Sequence, residues 1–152
     1  MSKHIFKLRM NTTYTSSEND IDSLEVELLE DNEWKTLDLN TSTPGFLVYV
    51  YSIFTCQHMF LRTNGAERKL VYASSNGNIL VEAGEEWFLE KIDISFNVKL
   101  ASGKPDDDDV SYIISRMQQC PVSKNLPQNL ETHTRVEFSH CLLYTSDAAD
   151  EL

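Results

Sequence analysis

Two cysteines 64 positions apart are the residues of this chain best suited to covalent chemistry, Cys56 inside a long apolar run and Cys120 in the string Cys120-Pro121-Val122-Ser123. If folding brings them together they form a thiol pair. Pro121 is expected to end the preceding helix, because a residue before proline is pushed out of the α region, and to open a new turn, because its fixed φ suits a first helical position. Cys120 is therefore expected at a helix N-terminus, where unpaired N–H groups and the helix dipole favour thiolate. Each cysteine also has a plainer reading. A cysteine in an apolar helix is ordinarily a small inert hydrophobe, and Asp106 to Asp109, at the far end of the helix that delivers Cys120, supply no activating cation.

The remaining candidates carry less. His58 follows Cys56 by two positions, about 200° around a helix, so the two do not share a metal. His4 and His133 read as solvated, and no zinc-type ligand spacing occurs. The Asp106–Asp109 run suits a helix start and lacks the alternation and turn glycine of a calcium loop. No glycine-rich phosphate cradle is present, so no metal or cofactor is expected.

At 152 residues the chain fits one domain, and its net charge of −11 argues against nucleic acid or an anionic membrane as partner, since phosphate contact needs clustered Lys and Arg. No secretory signal follows Lys3 and His4, and the longest apolar stretch, Phe46 to Phe54, is too short to span a bilayer. The expected compartment is the cytoplasm. Cys141 to Glu151 resembles the translation of a sequencing-library adapter read through in frame. The domain is accordingly taken as residues 1–140, with 141–152 an artefactual or disordered tail and Cys141 given no role.

Several elements must position the two thiols. Alternation predicts strands over Phe6–Met10 and Leu24–Leu28 and around Leu37 and Leu39, with a loop at Asn11–Asp20 and a hairpin turn at Glu30–Glu33. Thr43 and Pro44 read as N-cap and first position of a central helix reaching about Arg62 and ending near Gly65. Ser74 to Asn78 reads as a turn cluster, followed by a short strand at Ile79–Glu82. Ile92, Ile94, Phe96, Val98 and Leu100 alternate with polar residues as in an antiparallel sheet that is covered on one side. Asp106–Asp109 then feeds an amphipathic helix through Val110, Ile113, Ile114 and Met117, and a last strand carries Leu130, Val136 and Phe138. The class is α+β.

The stretch Ser115 to Leu126, SRMQQCPVSKNL, resembles the second cysteine motif of the OsmC/Ohr family of thiol peroxidases, and the element order over about residues 22–139 is similar too. The resemblance implies antiparallel sheets around a long buried central helix in an intertwined homodimer. It also implies that Cys56 attacks an organic hydroperoxide as thiolate, that Cys120 resolves the sulfenic acid to a disulfide, and that a dithiol or lipoyl-bearing protein restores both. The family's glutamate after the helix-starting proline and arginine in the preceding strand are absent. Lys35 is the nearest basic residue for the arginine's role, although lysine does not copy a guanidinium's two-pronged geometry. A rival reading keeps the fold and dimer but makes the protein a non-enzymatic binder of an apolar ligand in a cavity lined by Tyr49, Phe54, Met59 or Phe60. A third treats both cysteines as core filler.

Overall fold

The computed structural model describes residues 2–140; Cys141 and the rest of the expected tail lie outside the described residues. The chain runs β1 (His4–Thr15), β2 (Asp20–Glu30), β3 (Glu33–Thr36), α1 (Gly45–Glu67), β4 (Val71–Ala83), β5 (Leu89–Ser102), α2 (Asp107–Gln118), a 3-10 turn (Ser123–Asn125) and β6 (Glu131–His140). The strands form a single six-stranded sheet in the order β3-β2-β1-β4-β5-β6, where sheets in the plural were expected. Every neighbouring pair is antiparallel except β5 and β6, which are parallel. That departure has a topological cause. A parallel pair needs a crossover, and α2 with its following turn carries the chain back to the start of β5 before β6 begins.

Inward-facing residues set the register. On β1 the alternation continues past Met10 through Thr12 and Tyr14, both buried, so the expected loop at Asn11–Asp20 is mostly strand. The chain reverses at Ser16–Asn19, where Ser16 and Asn19 take φ of 68° and 58°. Asn19 is fully buried, and its side-chain amide donates to the carbonyls of Arg62 (3.2 Å) and Leu70 (3.0 Å) while accepting from the Tyr72 N–H (2.8 Å). One side chain thereby ties the β1–β2 turn to the end of α1 and the start of β4.

The supposed turn at Ser74–Asn78 is the middle of β4. Gly77 pairs with Phe96 of β5, and a Cβ added to Gly77 would lie 2.4 Å from the Phe96 ring, so that ring occupies the space the glycine leaves empty. Gly77→Ala is expected to cost about 1–3 kcal/mol through overpacking, read as a lower urea midpoint at unchanged slope. On β5 the inward residues Ile92, Ile94, Phe96, Val98 and Leu100 are at most 2% exposed. Each contributes about 1.5–3 kcal/mol by leaving water.

The two helices lie against this inward face. α1 starts one residue later than expected: Pro44 is its N-cap, without a side-chain cap, while Thr43 Oγ1 accepts from the Asn40 N–H (2.9 Å). Its 23 residues bury Leu47, Val50, Ile53, Phe54 and Leu61, but Val48 and Met59 stay 37% and 50% exposed. In one chain the helix is thus covered on one side and not wrapped. α2 begins with a capping box in which Asp106 accepts from the Asp109 N–H (2.8 Å) and Asp109 accepts from the Asp106 N–H (3.1 Å). Arg68 binds α2 to the end of α1 through Asp109 (3.2 Å) and stacking on Tyr112 (4.0 Å to the ring centroid). The strand expected around Leu37 and Leu39 lies earlier, at Glu33–Thr36, after the anticipated turn. Among the described residues no helix is long and apolar enough to cross a membrane.

Candidate redox site

Cys56 sits at the start of the fourth turn of α1, and Cys120 follows the Gln119 C-cap of α2. The fold lays α1 beside α2 and the 3-10 turn, which places the Cys120 thiol beside that of Cys56. Both are free; Cys120 is fully buried and Cys56 half-buried. The expected helix N-terminus after Cys120 is a short turn of three residues. It nevertheless supplies donors. The Ser123 N–H points to Cys120 Sγ (3.4 Å), and the Val122 amide lies near enough to Cys56 to favour its thiolate.

The electrostatics oppose easy ionisation of Cys56. Burial, helped by the adjacent Cys120 thiol and partly offset by the Val122 amide, pushes its thiol up to about 11 from the usual 9.0. No arginine or lysine figures among these influences. Lys35 stands on β3, at the opposite edge of the sheet from β6, and pairs with Glu30 (3.4 Å). The structure therefore unites Cys56 with Cys120 and leaves Lys35 apart. Three arginines are engaged elsewhere as well: Arg9 with Glu27 and Trp34, Arg68 with Asp108 and Asp109, and Arg62 with the Asn19 carbonyl.

Around the thiols lies a set of polar side chains that the cysteine motif does not disclose. Gln57, 4% exposed, donates from Nε2 to Ser123 Oγ (3.0 Å) and accepts at Oε1 from Thr134 Oγ1 (3.1 Å) on β6. The visible signal was a glutamine beside a cysteine within an apolar run. On the sheet side of α1, His58 Nε2 shares a hydrogen bond with Tyr14 Oη (2.8 Å), which shares another with Ser75 Oγ (2.6 Å). Burial, with a smaller contribution from Arg62, lowers the His58 pKa to about 3, so His58 is neutral and faces away from the thiols into the core. His4 stacks on Trp87 at 3.6 Å, and His133 pairs with Glu131 at 3.1 Å. Among the described residues no group of three or more His, Cys, Asp or Glu side chains could hold a metal.

Comparison with solved structures decides the architecture. A protein of Psychrobacter arcticus 273-4, described as an osmotic stress induced and detoxification response protein, has a TM-score of 0.54 at 11% identity over 75% of this chain and 87% of its own. An OsmC-like protein of Mycoplasma pneumoniae has a TM-score of 0.54 at 10% identity over 92% of this chain and 99% of its own. This chain has the OsmC-like fold. No family model matches it, and no curated protein matches it. At these identities the likeness is one of fold. Within that OsmC-like frame, the proline-started helix and the loop after the second helix are the two elements that carry Cys56 and Cys120.

Proposed function

We propose that this OsmC-like protein is a thiol-dependent peroxidase that reduces organic hydroperoxides through a two-cysteine cycle. The observation that carries the reading is the placement of the Cys56 and Cys120 thiols side by side, with the Ser123 N–H bonded to Cys120 Sγ and the Val122 amide beside Cys56. Ionised Cys56 attacks the hydroperoxide, forming an S–O bond as the O–O bond breaks, and the alkoxide leaves as alcohol after taking a proton. Cys120 then attacks the sulfenic sulfur; the S–S bond forms and water departs. A dithiol or lipoyl-bearing protein reduces the disulfide, a cycle suited to the reducing cytoplasm, where thiols are kept free.

A second copy of the chain fits the exposed face of α1. Val48 and Met59 are large apolar residues in water there, beside the partly buried Tyr51 and Phe60, and an OsmC-type homodimer would cover them. Within one chain Lys35 takes no part in the cycle.

One equivalent of cumene hydroperoxide is expected to join the peptides carrying Cys56 and Cys120 with the loss of two hydrogens, seen by non-reducing peptide mapping. Cys56→Ser is expected to abolish hydroperoxide consumption driven by dihydrolipoamide, and Cys120→Ser to leave a persistent sulfenic acid. Both thiols untouched after mild excess would remove the reading. The raised pKa of Cys56 favours the second reading, a non-enzymatic dimer that binds an apolar ligand against α1. In that case Cys56→Ser leaves binding of a fluorescent fatty-acid probe unchanged.

A further inference from the structure

Resting on that redox reading, we propose that Gln57 is a positioning residue for disulfide closure, holding the Cys120 turn against α1 through Ser123 while Thr134 anchors it from the sheet. The segment from Gln119 to Leu130 contains only three residues of regular structure, the 3-10 turn Ser123–Asn125. Internal bonds such as Asn125 Nδ2 to the Pro121 carbonyl (2.7 Å) shape this segment but do not attach it to α1. Gln57 does. It belongs to the same helical turn as Cys56, and its amide bonds at one end to Ser123, whose own N–H meets Cys120 Sγ, and at the other to Thr134.

The surroundings make this tie consequential. A cavity of about 220 Å3 opens behind the turn, lined by Gln57, Gln118, Ser123, Leu126, Leu130 and Thr134. Packing on that side leaves the turn room to move, so directional hydrogen bonds carry the constraint that close-packed side chains supply elsewhere. Gln57 is also almost wholly out of water, where an amide with both ends satisfied is a stronger restraint than the same bonds on the surface.

Closure competes with a second oxidation. Once Cys56 is a sulfenic acid, Cys120 attacks its sulfur and releases water, or another hydroperoxide transfers an oxygen, leaving as alcohol and giving sulfinic acid. Proximity favours the first course, and loosening the turn shifts the partition toward the second.

The test treats the full chain, Gln57→Met and Thr134→Val with a graded excess of cumene hydroperoxide and measures disulfide against sulfinic acid at Cys56 by mass spectrometry. Gln57→Met keeps the length and loses both hydrogen bonds. At a dose that leaves the unaltered protein mainly disulfide, its ratio of sulfinic acid to disulfide is expected to rise about tenfold, the scale of a lost buried hydrogen bond. Thr134→Val, which loses only the far anchor, is expected to show a smaller rise and carries the test alone if Gln57→Met fails to fold. Samples are matched for near-UV circular dichroism, so a general loss of structure is separated from the partition. A ratio within twofold of the unaltered protein in the folded variants overturns the role of Gln57. Absence of any disulfide in the unaltered protein overturns the redox reading itself, a distinct outcome.

Discussion

Alkylation of Cys56 by iodoacetamide is expected to accelerate about tenfold for each pH unit between pH 7 and pH 10, roughly a thousandfold in all. The thiolate is the nucleophile, and a thiol held at about 11 is ionised in only about one molecule in ten thousand at pH 7. Burial is the main cause, and the Val122 amide is not a full charge that could reverse it. The rate, followed on the peptide carrying Cys56, should show no plateau below pH 10. A plateau below pH 8 would mean that a cation reaches the sulfur, from a second copy or a rearranged loop. Peroxide reduction should follow the same profile, being slow at neutral pH and fast in alkali, in contrast to a site where a guanidinium holds the thiolate ready.

Acid should unfold the protein through one histidine. His58 lies 2% exposed between the sheet and α1, stacked near Phe96 (5.5 Å between centroids) and bonded to Tyr14. Its folded pKa of about 3 lies below the ordinary 6.5, so between those values the unfolded chain takes up a proton that the folded chain refuses. Stability is therefore whole above pH 6.5 and declines as the pH falls toward 3, by about 1.4 kcal/mol per unit and about 4–5 kcal/mol over the window. That is a large share of the roughly 5–15 kcal/mol that holds an ordinary domain together. Urea titrations at pH 7, 6 and 5 isolate the effect above the carboxylate range. His58→Phe, which keeps a flat ring beside Phe96, should flatten the slope, and an unaltered midpoint between pH 7 and pH 5 in the original protein would remove the argument.

Local patterns were legible wherever one residue type imposed a conformation without help from afar. The alternation from Ile92 to Leu100 became β5, the Asp106–Asp109 run became a capped helix start, and Pro44 marked the entry to α1. Elsewhere local chemistry misled. Ser74-Ser75-Asn76-Gly77-Asn78 has the composition of a turn, yet β1 and β5 flank it on both sides and Phe96 fills the gap over Gly77. Lys35 lies near Pro44 along the chain, and nearness along the chain carries no information about which edge of a sheet a strand joins.

By itself the sequence determined the α+β class, the two helices and the presence of two thiols, one on a helix that a proline opens and one just before a proline-directed turn, because capping, periodicity and ring closure act within a few residues. The tertiary structure alone decided that β6 runs parallel to β5, that Gln57 joins Ser123 to Thr134, and that Cys56 lies beside Cys120 in a setting that resists ionisation of Cys56. Those outcomes depend on which distant surfaces exclude water together. Burial is a property of the assembled chain, and no residue carries it alone.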